Sequence, residues 1–379
     1  MEEFLSTSEI LCEVRNHVAF VTLNRPAALN SLSMGMVVGL RGVLRDCALD
    51  PSVRAVLLKG AGDKAFCAGG DIRALYESFR SSTTPHRDFF VAEYPLDYFL
   101  HFYPKPYIAL MDGITMGGGM GLAQGSRMRI VGERTRIAMP EVAIGFFPDV
   151  GGSYFLSRIP GEMGMYLALT GAQIRAADAL YTGLADVFMA REVVDTLEAQ
   201  LSGVAWSGDG SEDWRGDLGR LIGRLAVAEA GAAPLASVRP AIDEHFSAAS
   251  VPAVLKSLDD ERRPQYVEWA RQTSATIKTR SPTMLAVSMR QLRLGRTMSF
   301  ADCLRMEISM TQRLAGQGDF IEGVRAVIVE KDNKPKWRPA TLAEVTEASI
   351  DAFFEDPWGG APNPLANLEE DLAREYQQP

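Results

Sequence analysis

Two glycine-rich turns could present backbone N–H groups to a ligand. The first spans residues 66–72, FCAGGDI, between a stretch that predicts a strand and one that predicts a helix. Paired glycines permit positive φ and close approach of a ligand to the backbone. N–H groups at the start of a helix are free to bind an anion. The pattern alone is equally consistent with a tight strand-to-helix connection.

The second turn lies in residues 112–121, DGITMGGGMG, again after an apolar strand pattern. Three consecutive glycines weaken an ordinary helix start, and they favour a place where a substrate touches backbone. A dinucleotide-binding fingerprint is the competing interpretation. It fails because Gly119, Gly121 and Gly125 are spaced one residue too far for G-x-G-x-x-G. The G-x-x-x-x-G-K-[ST] phosphate loop is absent as well.

Two carboxylates, Glu141 and Asp149, flank an apolar run within residues 139–152, MPEVAIGFFPDVGG. Apolar walls disfavour the charged form of a carboxyl group, and this suits proton transfer near neutral pH. The alternative, purely structural interpretation is a surface glutamate and an aspartate that caps the next helix.

Other catalytic patterns find little support. No H-E-x-x-H or G-x-S-x-G motif occurs, so neither a metal site nor a hydrolase elbow is expected. Cys67 lies in the first turn, but no nearby histidine could activate it as a nucleophile. We expect it to be a small buried spacer.

Composition places the 379-residue chain among ordinary globular proteins, with 47% hydrophobic and 23% charged residues. A net charge of −9 argues against nucleic-acid binding. Four cysteines without C-x-x-C spacing favour a reducing compartment.

The acidic start MEEFLSTSEI resembles neither a signal nor a transit peptide. No apolar run reaches the roughly 18 residues of a membrane helix. We therefore expect a cytoplasmic protein without a membrane partner.

The elements that must position these residues alternate between strands and helices, which predicts an α/β fold with a largely parallel sheet. Residues 11–23 predict a hairpin, and residues 33–49 predict a helix that Ser31 or Ser33 caps and Asp50-Pro51 ends. Further strands are expected at 53–59, 107–112 and 127–131. A helix should follow each glycine-rich turn.

The second half of the sequence is mainly helical by pattern. Helices are expected at 220–230, 252–275, 282–293, 299–315 and 367–377. The predicted organisation is a core at 10–203, a Gly/Asp-rich linker or insertion at 204–219, a helical region at 220–345 and a tail at 346–379.

Several long strings together resemble the crotonase (enoyl-CoA hydratase/isomerase) superfamily and, within it, most closely the 3-hydroxyisobutyryl-CoA hydrolase family. The likeness covers roughly residues 10–340. It is carried by NRPAALNSL at 24–32, KAFCAGGDIRAL at 64–75, KPYIALMDGITMGGGMGL at 105–122 and MPEVAIGFFPDVGGSYFLSRIPG at 139–161, and extended at 167–171 and 320–340. The resemblance implies a crotonase-like spiral of ββα units with a helical C-terminal region, and acyl-CoA thioesters as ligands.

The resemblance also assigns site residues. It implies an oxyanion hole from the N–H groups of Gly70 and Gly118, catalytic roles for Glu141 and Asp149, and substrate contact by Glu93. Further expected substrate-binding residues are Arg25, Ala68, Gly69, Asp71, Gly117 and Gly121. The resemblance implies that hydratases of this superfamily use a second glutamate at the position of Gly121. Because this chain has a glycine there, the resemblance argues against a hydratase.

The expected activity is hydrolysis of a short-chain 3-hydroxyacyl-CoA thioester, most closely 3-hydroxyisobutyryl-CoA of valine catabolism. Glu141 would act as nucleophile or as general base, and the sequence leaves both routes open. No metal or redox cofactor is implied. CoA phosphates would meet Arg25 or the basic run Lys331, Lys334, Lys336 and Arg338. The alternatives are an enoyl-CoA hydratase/isomerase and a non-catalytic acyl-CoA-binding protein. Self-association, common in the superfamily, is also left open.

Overall fold

A computed structural model describes residues 7–81, 84–207, 216–226 and 228–376. Its strands are β1 Ile10–Arg15, β2 Val18–Leu23, β3 Ala55–Gly60, β4 Ala65–Cys67, β5 Tyr107–Leu110, β6 Ile114–Met116, β7 Met128–Val131, β8 Arg136–Ala138 and β9 Val187–Phe188.

The helices of the first half carry the site. They are α1 Met34–Leu49, α2 Ile72–Arg80, α3 Pro85–His101, α4 Gly118–Gln124, α5 Gly152–Phe155, α6 Met163–Thr170, α7 Ala176–Thr182 and α8 Arg191–Ser202. Those of the second half are α9 Asp217–Leu225, α10 Pro234–Phe246, α11 Val251–Asp259, α12 Val267–Ile277, α13 Pro282–Gly295, α14 Phe300–Gln317, α15 Asp319–Val324, α16 Glu347–Asp351 and α17 Leu368–Glu375.

The first elements follow the sequence closely. β1 and β2 form the predicted antiparallel hairpin, and Asn16 and His17 take positive φ in its turn. α1 begins after Ser33, whose side chain accepts a hydrogen bond from the N–H of Met36, and it ends at Asp50. The predicted hairpin and helix are both confirmed.

A repeated ββα unit builds the rest of the sheet structure. In each repeat the first strand joins a six-stranded sheet of order β1-β2-β3-β5-β7-β9, and the second joins a three-stranded sheet of order β4-β6-β8. All pairings except β1 with β2 are parallel. Because β4 pairs with β6, the turns that follow these strands lie side by side. The spiral therefore brings the two glycine-rich turns together.

The helical second half packs into the same core as the spiral. The main buried cluster includes residues from Ile10 in β1 to Leu368 in α17. Within the described residues, no helix is long and apolar enough to cross a bilayer.

One helix prediction in this half was wrong, and one helix was missed. The single helix expected at 252–275 is two helices, α11 and α12, and Pro264 lies between them, where it disfavours a continuous helix. α10 was not predicted because Pro234 and Pro240 interrupt its pattern, yet Pro234 occupies the first turn, where proline is tolerated.

The predicted division into core, linker, helical region and tail stays a prediction. Residues 208–215 of the expected 204–219 linker lie outside the described residues. The end of that range already belongs to α9, which starts at Asp217.

Candidate active site

A cavity of about 250 Å³ lies where the two glycine-rich turns meet the turn that carries Glu141. Backbone of residues 68–70 and 117–118 forms one wall. Most of the remaining lining is apolar: Ile72, Leu75, Phe89, Phe90, Met116, Pro140, Ala143, Ile144, Phe146, Phe320, Val327 and Ile328. The acids in the lining are Glu93, Glu141 and Asp149.

The backbone of the two turns approaches closely at Gly70 and Gly118. A Cβ added to Gly118 would lie 3.4 Å from the N atom of Gly70 and would overlap a carboxylate oxygen of Glu93. Gly118 opens α4, where an N–H has no intrahelical acceptor. Among the described residues, neither N–H donates to a backbone carbonyl. Two free donors thus line the same cavity wall, the arrangement that an oxyanion hole requires.

Glu141 begins a 3-10 turn, Glu141–Ile144, that follows β8. Its side chain is buried, and its Oε2 has no hydrogen-bond partner among the described residues. Its other oxygen faces Gly117, where an added Cβ would lie 3.2 Å away. Burial, and secondarily the charge of Asp149, raises the pKa of Glu141 well above its usual range. Glu141 therefore places a buried carboxyl group, whose charged form is disfavoured, in an apolar cavity beside the glycine turns.

Asp149 sits in the loop before α5 and is also buried. The hydroxyl of Tyr94 on α3 donates a 2.9 Å hydrogen bond to its Oδ2. Burial raises the pKa of Asp149 to about 7, and the Tyr94 hydrogen bond opposes that rise by favouring the charged form. Near neutral pH this carboxyl is present in both forms, so it can give or take a proton.

Glu93, one residue before Tyr94 on α3, is the third acid of the cavity. Its side chain is 2% exposed, and its Oε1 lacks a partner among the described residues. Burial first, then Asp149, raises the pKa of Glu93 well above its usual range. A protonated Glu93 could donate a hydrogen bond to a polar substrate atom.

The loop that carries Asp149 is held by two helices of the second half, a support that the sequence did not suggest. Glu307 on α14 accepts hydrogen bonds from the N–H groups of Gly151 and Ser153, at 2.8 and 3.0 Å. Gln291 on α13 donates to the carbonyl of Pro148 and to the Ser153 hydroxyl. Burial raises the pKa of Glu307 to about 8.

Three of the expected substrate-binding residues do not line this cavity. Arg25 pairs with Glu9 and Asp71, and Asp71 also caps α2 by accepting from the N–H of Ala74. Gly121 lines a neighbouring cavity instead. A Cβ there would lie 2.6 Å from Asp97 Oδ1, so no larger side chain fits.

The other expected site residues are brought together as cavity lining. The enoyl-CoA hydratase/isomerase family matches residues 18–354. The chain therefore belongs to that family, and its crotonase-type α/β fold is confirmed.

Individual relatives extend the comparison. The chain is 39% identical over 355 residues to the mitochondrial 3-hydroxyisobutyryl-CoA hydrolase of Rattus norvegicus, covering 94% of this chain and 91% of that protein. It is 42% identical over 334 residues to the enzyme of the same name from Xenopus tropicalis, covering 88% and 85%. A crystal structure of a carnitinyl-CoA dehydratase from Mycobacterium thermoresistibile matches with a TM-score of 0.84 and 39% identity, covering 94% of this chain and all of that one.

Proposed function

We propose that the chain hydrolyses a short-chain 3-hydroxyacyl-CoA thioester, with 3-hydroxyisobutyryl-CoA as its substrate, to the free acid and CoA. The observation that carries the proposal is Glu141, a buried acid with an unpartnered oxygen beside the donor pair of Gly70 and Gly118. The names of the two hydrolase relatives support the same acyl group.

The thioester carbonyl would bind with its oxygen between the N–H groups of Gly70 and Gly118. Negative charge develops on that oxygen as the carbonyl is attacked, and each fixed donor is worth about 3 kcal/mol in the transition state. The surrounding apolar lining excludes water and strengthens these hydrogen bonds.

Attack on the carbonyl carbon would come from Glu141 itself or from a water that Glu141 deprotonates. Either route breaks the C–S bond, and the departing thiolate needs a proton. Asp149 would supply it, because its pKa of about 7 leaves a protonated fraction at neutral pH. No metal or redox cofactor takes part in this scheme.

The substrate hydroxyl would bind near Glu93, which faces Gly118 from α3. The cavity of about 250 Å³ suits a short branched acyl group. The same proposal includes CoA as the second product, a cytoplasmic location and self-association of the chain. The two hydrolase relatives are named as mitochondrial proteins.

Hydration or dehydration of an acyl-CoA is the competing activity, because one structural relative is described as a dehydratase. That chemistry uses two acids on one water. Here the second position after the glycine triplet is Gly121, and Asp97 and Val150 lie too close to it for a larger side chain.

One assay separates the candidates. Purified protein is mixed with 3-hydroxyisobutyryl-CoA and, separately, with the corresponding enoyl-CoA. Release of free thiol from the first substrate is the expected result. Loss of enoyl absorbance without thiol release would identify a hydratase, and tight binding without turnover would identify a non-catalytic binder.

A further inference from the structure

The backbone at Val150, the residue after Asp149, adopts a conformation that a β-branched side chain rarely takes. Its φ is 52°, in the left-handed region, and its side chain is 1% exposed. Such a conformation is strained and persists only where the surrounding structure holds it in place. Asp149 lines the catalytic cavity with Glu93 and Glu141, whereas Val150 lines the neighbouring cavity. The strained turn therefore directs two consecutive side chains into different cavities.

Glu307 on α14 holds the residues that follow this turn. Its Oε2 accepts a hydrogen bond from the N–H of Gly151 at 2.8 Å. Its Oε1 accepts hydrogen bonds from the N–H and the hydroxyl of Ser153, at 3.0 and 2.5 Å. The second half of the chain thus fixes the backbone directly after Val150 through one carboxyl group.

Gln291 on α13 holds the residue that precedes Asp149. Its side-chain amide donates to the carbonyl of Pro148 at 2.5 Å and to the hydroxyl of Ser153 at 2.8 Å. Because that hydroxyl in turn donates to Glu307, connected hydrogen bonds span both sides of Asp149. The side chains of Gln291, Ser153 and Glu307 are all 0% exposed, so these hydrogen bonds are shielded from water.

The three groups that meet the oxygens of Glu307 are all donors, and this explains why the position carries an acid. A glutamine of the same size has a single acceptor oxygen, and its NH₂ group would face either the Gly151 N–H or the donors of Ser153. A buried donor would then lack a partner, which is costly. Burial raises the pKa of Glu307 to about 8, and the three donors oppose that rise by favouring the charged form.

We propose that Glu307 is a positioning residue for the hydrolysis, because it holds the strained turn that keeps the Asp149 carboxyl group in the catalytic cavity. The inference rests on the proposed hydrolase function, in which Asp149 protonates the departing thiolate. Glu307 lies outside the lining of that cavity, so it acts through Asp149. The same turn keeps Asp149 at hydrogen-bond distance from the Tyr94 hydroxyl. A misplacement of about 1 Å in such a group can lower a rate about 10²-fold.

The first test is a double-mutant cycle that combines Glu307→Gln with Asp149→Asn and measures thiol release from 3-hydroxyisobutyryl-CoA. Glu307→Gln alone should lower kcat at least about tenfold and leave KM within about twofold, because the contacts to CoA stay in place. In the Asp149→Asn background the same change should alter kcat less than about twofold, since the group that Glu307 positions is already lost. Equal losses in both backgrounds, or an unchanged kcat in Glu307→Gln, would overturn the proposal.

Ile308→Val, at the next residue of α14, is the matched control. It removes one buried methyl group from the same helix and no donor or acceptor, so Tm should fall while kcat stays at the wild-type value. Because Glu307→Gln could also disturb folding, Ser153→Ala is measured in parallel. It removes one donor to Glu307 and keeps both backbone hydrogen bonds, and it should lower kcat at least about threefold at unchanged KM. A folded Ser153→Ala with wild-type kcat would equally overturn the proposal.

The crystal structure of Glu307→Gln supplies a readout that needs no activity. The distance between the Tyr94 hydroxyl and Oδ2 of Asp149, now 2.9 Å, should become too long for a hydrogen bond, and φ of Val150 should turn negative. An unchanged distance and an unchanged φ would show that Glu307 does not position Asp149. If the wild-type protein released no thiol, the hydrolase proposal itself would fail, and this comparison would still decide the role of Glu307.

Discussion

The hydroxyl of Tyr94 donates a 2.9 Å hydrogen bond to Oδ2 of Asp149, and both side chains are buried. This bond stabilises the carboxylate form of an acid that burial otherwise pushes towards protonation. Tyr94 therefore lowers the pH range over which Asp149 loses its proton.

Replacing Tyr94 with phenylalanine should raise the pKa of Asp149 above its value of about 7, because the donor that favours the charged form is lost. If protonated Asp149 donates to the leaving thiolate, the basic limb of the kcat profile moves to higher pH. Thiol release measured from pH 5 to pH 10 checks this. Tyr266→Phe, at a hydroxyl outside the cavity lining, serves as the control. An unmoved or downward-shifted limb in Tyr94→Phe would show that Asp149 is not the donor.

Glu141→Gln should abolish thiol release while the protein stays folded and still binds CoA. Glutamine keeps the size of the side chain but can act neither as a base nor as a nucleophile, and this loss costs at least about 10²-fold in kcat. Single-turnover thiol release and CoA binding by calorimetry are the measurements.

The control for this variant is Glu192→Gln at an exposed position of α8. It makes the same chemical change away from the cavity and should leave kcat unchanged. If Glu141→Gln kept more than about a tenth of the wild-type kcat, the assignment of Glu141 as the attacking group would be wrong.

We expect the CoA phosphates to contact exposed lysines that follow a cavity-lining residue in the sequence. Ile328 lines the cavity, and Lys334 and Lys336 follow it within the same exposed segment. Arg25, the other candidate, already pairs with Glu9 and Asp71.

Replacing both Lys334 and Lys336 with alanine should raise KM for the CoA ester about three- to tenfold at low salt, since an exposed ion pair contributes about 0.2–1 kcal/mol. The salt dependence of KM should weaken as well. Lys256→Ala with Lys278→Ala removes the same charge from ion pairs on α11 and after α12, and should leave KM unchanged. Equal KM values at low salt in the Lys334/Lys336 variant and wild type would reject the phosphate contact.

Local sequence patterns were sufficient for the parts of the site that depend on neighbouring residues. The glycine-rich turns and the hairpin follow from residue types that permit particular backbone angles, and the structure places Gly70, Gly118 and Glu141 around one cavity. The same local reasoning predicted a serine cap for α1, which the structure places at Ser33.

Long-range contacts could not be inferred in this way. Glu307 and Asp97 are polar residues in helices, which a sequence pattern assigns to a solvated face, yet both are buried. The hydrogen-bond partners of Glu307 lie on another element, more than 150 residues earlier in the chain at Ser153. The resemblance placed Gly121 near the substrate, but the structure places it against Asp97, outside the lining of the catalytic cavity.

Gly118→Val tests whether the glycine triplet lines an oxyanion hole or only permits close packing. A Cβ at Gly118 would overlap a Glu93 carboxylate oxygen and lie 3.1 Å from Leu32 Cδ1, so valine must fill space beside the donor N–H. We expect kcat/KM to fall at least about 10²-fold, as for loss of an oxyanion donor, with a cooperative unfolding transition retained.

The matched control for this variant is Gly223→Val on α9, where a Cβ would meet no atom within 4 Å. It should keep wild-type kcat/KM. Because valine at Gly118 could also disturb folding, the smaller Gly118→Ala is measured in parallel, with circular dichroism and Tm for each protein. The methyl group of alanine would still collide with Glu93, so kcat/KM should fall strongly while Tm changes little. A folded and fully active Gly118→Ala would mean that the thioester carbonyl does not bind at Gly118, and that the donor pair lies elsewhere in the cavity.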